Sequence, residues 1–284
     1  MLESVFRRAR ERGRAAFIPY VMAGDPDLAT TAAIFDTLAS AGVDAIEAGV
    51  PYGDPLADGP TIAAAGVRAL RAGARIADVL RLVGQGRERG WPPIVLFTYY
   101  NPVYRFGIGR LAEAAAAAGV AGVIVPDVAL EEGAELRGAL VANAVEMPLL
   151  VAPSTARDRA SRIAAQATGF VYVVSRLGVT GAGTEPDFSP LGSQIATMRA
   201  LTDKPLAVGF GVSKVEHVRA VAPLADGIIV GSALIDAYCG SVGGAAAERV
   251  RSFVEPLLLA TQSETAIGIV RDVGRDGERR GGGG

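Results

Sequence analysis

One unit recurs along this chain: a short run of apolar, often β-branched residues, a turn, and then an alanine-rich amphipathic stretch. Apolar runs this short are typical of strands buried on both faces, as in a parallel sheet. The amphipathic stretches are typical of helices that cover such a sheet. The pattern predicts strands at 16–21, 43–48, 94–98, 121–125, 147–151, 170–174, 205–208 and 227–230. Helices are predicted between them, among others at 28–41, 110–118, 131–144, 156–167 and 191–201.

Eight strands that each lead into a helix predict a parallel sheet closed into a barrel. The alternative is a doubly wound open sheet, which usually has fewer strands and a glycine fingerprint after the first. Here the first strand ends Met22-Ala23-Gly24-Asp25-Pro26, without that fingerprint. We therefore expect α/β architecture in the form of a single (β/α)8 TIM barrel over residues 1–268, with an extra N-terminal helix. Residues 269–284, charged and glycine-rich, are expected to be a disordered tail.

The segment around the second strand carries the strongest indication of chemistry. Glu47 falls at the end of that strand, where a buried carboxylate is costly unless it has a task or a partner. Residues 50–61 that follow are rich in proline, glycine and aspartate, a composition that predicts a shaped loop. A second, glycine-rich loop is predicted at 176–190. Asp58 lies on the first of these loops and could fold over Glu47. Two carboxyl groups held in different environments are the usual basis of general acid–base catalysis.

Glycines after the last two strands indicate an anion site. Gly209-Phe210-Gly211 follows the seventh strand and Gly231-Ser232 the eighth, each near the start of a helix. Glycine lets the backbone approach a ligand closely, and barrels often bind phosphate at these two loops. The plainer interpretation is that these glycines only make tight turns. Their occurrence as a pair favours a phosphate site.

Scarce residue types narrow the chemistry further. The chain has only two lysines, Lys204 before the seventh strand and Lys214 on a predicted helix, and neither suits an imine-forming role. His217 and Cys239 are the only residues of their types, so a transition-metal site is not expected. We interpret His217 as a surface or capping residue. Carboxylate and tyrosine chemistry on a phosphorylated substrate remains, with no cofactor and no metal.

Charge and hydropathy bear on partners and compartment. The net charge of −2, with no basic block inside the domain, makes nucleic acid an unexpected partner. The arginine- and glutamate-rich first residues lack the apolar core of a signal peptide, and no apolar run is long enough to span a bilayer. One cysteine cannot form an internal disulfide. We expect a cytoplasmic protein that does not bind membranes.

Four motifs together resemble one enzyme family. Residues 46–61, residues 172–181, Gly209-Phe210-Gly211 and Gly231-Ser232 are similar to the alpha subunit of tryptophan synthase, and the run Pro-Leu-Ala-Asp-Gly-Pro-Thr is specific to it. The similarity extends to about Thr261. It implies a carbon–carbon lyase that cleaves indole-3-glycerol phosphate to indole and D-glyceraldehyde 3-phosphate by a retro-aldol step. The indole ring is then the electron sink, which agrees with the lack of a suitable lysine or metal site.

The resemblance also implies residue roles and a partner. Glu47 would be the acid–base residue, Asp58 would stabilise charge at the indole N–H, and Tyr172 would be the tyrosine beside the glutamate. A pyridoxal-dependent beta subunit would bind in an α2β2 heterotetramer, near Asp54, Pro55 and the loop after Asp127. Ala129 in that loop replaces a proline found in many members, which leaves the strength of this contact open. The implied substrate-binding residues are Tyr20, Tyr99, Thr180, Gly181, Phe210, Gly211, Gly231 and Ser232.

Other functions remain to be weighed. Indole-3-glycerol phosphate synthase handles the same compound but requires a strand-end lysine, and a sugar-phosphate isomerase would require a histidine or second strand-end carboxylate across the barrel. A free-standing indole-glycerol-phosphate lyase fits the same site residues without the beta subunit. An inactive barrel that serves as a regulatory binding module is the alternative from another class. The presence of both Glu47 and Asp58 argues against it.

Overall fold

The computed structural model describes residues 1–175, 189–209 and 211–262, and within them eight strands form one parallel sheet. The predicted alternation of strands and helices is confirmed. The predicted tail at 269–284 lies outside the described residues, as does most of the loop expected at 176–190. The strands are β1 Ala16–Met22, β2 Ile46–Gly49, β3 Ile94–Phe97, β4 Gly122–Ile124, β5 Leu149–Val151, β6 Val171–Val174, β7 Leu206–Gly209 and β8 Gly227–Val230.

Neighbouring strands pair in the order β4-β3-β2-β1-β8-β7-β6-β5, which brings the first and last strands of the chain together in the middle of the sheet. The edge strands β4 and β5 approach each other, and a single parallel bridge joins Gly122 to Glu146 just before β5. The sheet is therefore a nearly closed barrel, which confirms the predicted fold class. None of the helices in the described ranges combines the length and the hydropathy that crossing a bilayer requires.

Thirteen helices surround the described strands. Helix α2 shows why they form where they do: Asp27 caps its first turn through the Thr30 N–H at 2.7 Å, and Gly42 ends it with φ of 82°. The helices are α1 Leu2–Glu11, α2 Leu28–Ala41, α3 Pro60–Arg71, α4 Ile76–Gly84, α5 Gly86–Arg89, α6 Tyr100–Phe106, α7 Ile108–Ala118, α8 Ala134–Ala142, α9 Arg157–Gln166, α10 Ser189–Arg199, α11 Val215–Val221, α12 Ser232–Tyr238 and α13 Gly243–Leu259.

Two predicted loops end earlier than expected. The loop predicted at 50–61 ends at Gly59, because Pro60 opens helix α3. Likewise Ser189 and Pro190, predicted to be loop, belong to α10. In both cases a proline lies at the start of the helix, where its fixed φ is favourable and its missing N–H costs nothing. Proline therefore marks the beginning of these helices and not the continuation of the loop.

The extra N-terminal helix is confirmed as α1, and it covers the end of the barrel where the strands begin. Leu2 and Phe6 are buried there. The Phe6 ring lies 5.3 Å from that of Phe170, at the start of β6. The Glu146 carboxylate accepts a hydrogen bond from the Leu2 N–H at 2.6 Å. The apolar side chains of α1 therefore pack against the starts of the strands at this end of the barrel.

A buried ion pair lies at the same end and explains a boundary error. The strand predicted at 43–48 begins only at Ile46, because the Asp44 side chain is engaged in hydrogen bonds ahead of the strand. Its carboxylate accepts hydrogen bonds from Arg14 Nη2 at 2.9 Å and from the Phe17 N–H at 2.8 Å. The Arg14 and Asp44 side chains are only 9% and 5% exposed. Asp44 therefore holds the chain entering β2 to the first residues of β1.

We expect Arg14→Met to lower the free energy of unfolding by about 3–5 kcal/mol, since it leaves the Asp44 charge buried without its partner. Denaturant unfolding followed by circular dichroism measures the loss. Arg7→Met is the matched control, because Arg7 pairs with Glu11 at 3.9 Å on the surface and such pairs contribute about 0–1 kcal/mol. Equal losses in the two variants would contradict this account of the Arg14 pair.

Candidate active site

A pocket opens at the carboxyl ends of the strands, the end of the barrel where catalytic sites gather. It contains seven of the residues predicted from sequence, contributed by five strands or the loops that follow them. The remaining walls are apolar side chains and one further glycine. The pocket is lined by Tyr20, Glu47, Asp58, Gly59, Ile62, Phe97, Tyr172, Gly211, Val212, Ile229, Gly231 and Ser232.

Glu47 lies in the barrel wall at the edge of this pocket. It is the second residue of β2, and it is paired in register with Tyr20 of β1 on one side and Val95 of β3 on the other. The side chain is 2% exposed, and its Oε1 has no hydrogen-bond partner among the described residues. Burial, together with the charge of Asp58, raises the pKa of Glu47 to about 8. At neutral pH this carboxyl group is protonated and can donate a proton.

Asp58 faces the same pocket from the loop between β2 and α3. Its N–H donates to the Pro55 carbonyl at 3.0 Å, so the residue does belong to a turn. Its carboxylate is hydrogen-bonded to the Tyr99 hydroxyl, which in turn accepts from the Ala57 N–H at 3.1 Å. Burial raises the pKa of Asp58 to about 6, and the Tyr99 hydrogen bond opposes this shift. Two carboxyl groups of different acidity therefore share one pocket.

Two tyrosines frame Glu47, and a glycine makes room for each. The Tyr20 hydroxyl lies where a side chain on Gly49 would be, only 2.1 Å from an ideal Cβ there. The Tyr172 hydroxyl has the same relation to Gly209, again at 2.1 Å. Burial, followed by the charges of nearby carboxylates, raises the pKa of both phenols well above its usual value. Both tyrosines therefore stay neutral and can act as hydrogen-bond donors.

Gly49 and Gly209 consequently have a purpose that sequence reasoning missed. The sequence pattern indicates only a phosphate loop for Gly209 and no role for Gly49. The sequence does contain an indication of this role, because each glycine ends a strand whose neighbouring strand carries a tyrosine. Gly49 ends β2 beside Tyr20 of β1, and Gly209 ends β7 beside Tyr172 of β6. The sequence could not show, however, that the two rings point inward and reach these positions.

The residues expected to bind phosphate follow β7 and β8. Gly211 has φ of 84°, a conformation that glycine adopts without strain. Gly231 immediately precedes helix α12, and Ser232 is the first residue of that helix. All three line the pocket. Whether they hold a phosphate group stays a prediction.

Several other expected residues are placed differently or lie outside the described part. Thr180, Gly181 and Phe210 are outside the described residues. Tyr99 is 2% exposed and does not line the pocket; it contacts Asp58 instead. Ile62 lies on the first turn of α3 and Phe97 at the end of β3. They are among the five residues that line the pocket without having been predicted from the sequence, which are Gly59, Ile62, Phe97, Val212 and Ile229. Phe97 packs edge-on against Tyr20 with ring centroids 5.9 Å apart, so it extends the apolar wall.

His217 and Lys204 do not line the pocket. The surface placement expected for His217 is wrong, because it is 5% exposed, and its Nδ1 accepts from the Ser213 N–H at 3.3 Å. That contact just before α11 agrees with the capping role. Lys204 donates to the Ala164 carbonyl at 2.7 Å, ahead of β7 and away from the pocket. Among the described residues no three histidine, cysteine, aspartate or glutamate side chains group as metal ligands would.

Comparison with known proteins gives one consistent family. A family model described as "Tryptophan synthase alpha chain" matches residues 6–262. The tryptophan synthase alpha chain of Acaryochloris marina is 47% identical over 232 residues, which cover 81% of this chain and 86% of that protein. The alpha chain of Arabidopsis thaliana is 45% identical over 235 residues, covering 82% and 85% of the two chains.

Solved structures agree with this result. Tryptophan synthase from M. tuberculosis in its aminoacrylate-bound form superposes with a TM-score of 0.83 at 35% identity, covering 92% of this chain and 99% of that one. The alpha subunit from Legionella pneumophila str. Paris gives a TM-score of 0.83 at 28% identity, with 92% and 97% covered. The resemblance drawn from the sequence motifs is confirmed. The chain belongs to the tryptophan synthase alpha chain family, the carbon–carbon lyases that carry out the alpha reaction of tryptophan biosynthesis.

Proposed function

We propose that the pocket cleaves indole-3-glycerol phosphate with Glu47 as the acid–base residue and Asp58 as the charge-stabilising one. The observation that carries the proposal is the state of Glu47. It is a buried carboxyl group with one oxygen that has no hydrogen-bond partner in the described part of the chain, in a pocket that a second carboxyl group also lines. A structural carboxylate would be expected to have its hydrogen bonds satisfied. An unsatisfied one at the catalytic end of a barrel fits a group that transfers protons.

In the proposed reaction, protonated Glu47 first gives its proton to C3 of the indole ring. The ring nitrogen then carries positive charge, which the Asp58 carboxylate stabilises through the indole N–H. Ionised Glu47 next takes the proton from the side-chain hydroxyl, and the bond between C3 and the side chain breaks. Its electron pair returns to the ring, so indole and D-glyceraldehyde 3-phosphate form and Glu47 is protonated again. No electrons are gained or lost, which is why no redox cofactor is involved.

The other walls suit the two ends of this substrate. Phe97 and Ile62 provide an apolar surface for the indole ring, alongside the Tyr20 and Tyr172 rings. The phosphate group is assigned to the backbone around Gly211, Gly231 and Ser232, since glycine lets main-chain N–H groups come close to an anion. Thr180, Gly181 and Phe210 are proposed to complete the site, on the strength of the family motifs alone.

The partner of this chain is the tryptophan synthase beta subunit, with which the family works. The loop that carries Asp58 supports contact with it directly. Leu56 on this loop is 83% exposed, and Asp54 beside it is also exposed. Leu56 lies two residues from Asp58, so a partner that covered this side chain would contact the loop that carries Asp58. We propose an α2β2 assembly in the cytoplasm in which beta-subunit contact closes this loop over the substrate.

Glu47→Gln is the experiment that tests the proposed function. The amide preserves shape but cannot transfer a proton, so indole release from indole-3-glycerol phosphate should fall about a hundred- to ten-thousandfold. Glu146→Gln is the matched control; its carboxylate supports α1 at the other end of the barrel, and activity per folded molecule should be unchanged. A Glu47→Gln enzyme that kept more than about a tenth of wild-type activity would contradict the acid–base role.

Thermal stability provides a check that Glu47→Gln still folds. The folded-state pKa of Glu47 is raised from 4.5 to about 8. The stability that this carboxyl contributes is therefore complete below about pH 4.5 and is lost as the pH rises through 8. Glutamine does not titrate, so the melting temperature of the variant should rise relative to wild type between pH 5 and pH 8.

The pH dependence of kcat/KM should be bell-shaped. Asp58, with a pKa of about 6, must be ionised to stabilise the indole N–H, whereas Glu47, with a pKa of about 8, must be protonated to donate. Activity should therefore fall below pH 6 and above pH 8. Asp58→Asn should cost about a hundredfold or more in rate and remove the acid limb. An acid limb that survives in Asp58→Asn would assign that limb to another group.

Titration with the beta subunit tests the partner. The rate of indole release should rise about tenfold or more when the chain is saturated with the beta subunit. A rise of this size is common for coupling between two binding events. Leu56→Ser should reduce this activation, while Leu259→Ser, a comparably exposed leucine on α13, should not. Full activity of the chain alone, unchanged by the beta subunit, would instead support the free-standing lyase.

A further inference from the structure

One buried charge at the catalytic end of the barrel has no part in the mechanism so far. Asp25 follows β1 directly, in the Gly24-Asp25-Pro26 segment, and is 1% exposed. Its two carboxylate oxygens accept hydrogen bonds from Arg68 Nε and Nη2, both at 2.7 Å. Asp25 does not line the substrate pocket. A carboxylate buried this completely is costly, and its partner indicates what it is for.

Arg68 lies on α3, the helix that follows the Asp58 loop. Asp58 is separated from this helix only by Gly59, and Pro60 is the first helical residue. Gly59 and Ile62, at the beginning of α3, both line the pocket. A helix is a stiff element, so a contact that holds one part of α3 also determines where its first turn lies. Arg68 is thus connected to Asp58 through less than three turns of helix.

Two further close approaches between the chain around β1 and the chain around α3 are apolar. A Cβ on Gly24 would lie 2.4 Å from the Ala74 Cβ, just beyond the helix. A Cβ on Gly66 would lie 3.6 Å from the Met22 Cε. Such contacts set the distance between the elements but not the rotation of the helix. A two-bond arginine–carboxylate contact does set rotation, because the guanidinium is planar and both of its bonds are directional.

We propose that Asp25 and Arg68 are positioning residues that orient α3 so that the Asp58 carboxylate faces the indole nitrogen. The proposal rests on the role assigned to Asp58 above. It connects the first strand of the barrel to the catalytic loop after the second. Arg68 acts through Asp58 and does not itself touch the substrate.

The chain contains a comparator for a purely structural pair. Arg14 and Asp44 form a buried two-bond ion pair of the same kind at the opposite end of the barrel. Replacing either arginine should lower stability. Only replacement of Arg68 should change the rate per folded molecule. This change should be seen in the enzyme that has Asp58 and not in the Asp58→Asn variant, because there is then no catalytic carboxylate to misplace.

A double-mutant cycle on kcat/KM tests this, with Arg68→Met, Asp58→Asn and the double variant, each corrected for folded fraction. We expect Arg68→Met to lower kcat/KM about tenfold in the wild-type background and less than about twofold in Asp58→Asn. Arg14→Met should change neither. Arg68→Lys, which keeps the charge but not the two-bond geometry, should give an intermediate loss and serves if Arg68→Met does not fold.

Each outcome has a definite meaning. One possible result is that Arg68→Met lowers kcat/KM by the same factor in the wild-type and Asp58→Asn backgrounds while Asp58→Asn itself is slow. That result would overturn the positioning role and leave the proposed function standing. The same holds if Arg68→Met, or Arg68→Lys in its place, retains wild-type kcat/KM. If Asp58→Asn keeps full activity, the role of Asp58 fails, and the positioning proposal fails with it.

Discussion

The burial of the Glu47 carboxyl group is the constraint around which the site is built. Glu47 is 2% exposed, one of its oxygens has no hydrogen-bond partner among the residues that the structure describes, and a second carboxyl group lies nearby. Together these features make ionisation unfavourable. A protein stabilises such a group only by keeping it protonated. The position of Glu47 inside β2, paired on both sides, prevents the side chain from escaping to water. The rigidity of the barrel is therefore what maintains an acid of unusually high pKa.

The residues around Glu47 follow from that constraint. Two neutral tyrosines fill the space beside it, and each requires a glycine opposite its hydroxyl, Gly49 for Tyr20 and Gly209 for Tyr172. Asp58 comes from outside the barrel on a loop. Burial raises its pKa less than that of Glu47, because Asp58 is partly exposed, and the Tyr99 hydroxyl opposes the shift by stabilising the charge. One carboxyl group on a strand and one on a loop thus differ in acidity for a structural reason. That difference is what acid–base chemistry at neutral pH needs.

The sequence was sufficient for the barrel but not for the contacts between distant elements. Each strand is a short apolar run and each helix an amphipathic stretch, and this pattern recurs in every unit of the barrel. The positions of the strands are therefore predicted closely. Glu47 stood out because a carboxylate at a strand end is costly. The Asp25–Arg68 pair spans 43 residues and no local pattern announces it. Similarly, the burial of His217 depends on which elements pack over α11. The residues around Pro60 have the composition of a loop, and only the preference of proline for the first turn of a helix indicates that a helix begins there.

Direct titration of the Glu47 carboxyl group tests the central claim. Infrared difference spectra between wild type and Glu47→Gln, recorded from pH 5 to pH 9, isolate the C=O stretch of this one protonated group. The structure predicts a band that persists at neutral pH and disappears with a midpoint near 8. A group that is already ionised at pH 6, with a midpoint near 4.5, would show that Glu47 is an ordinary carboxylate and would contradict the account.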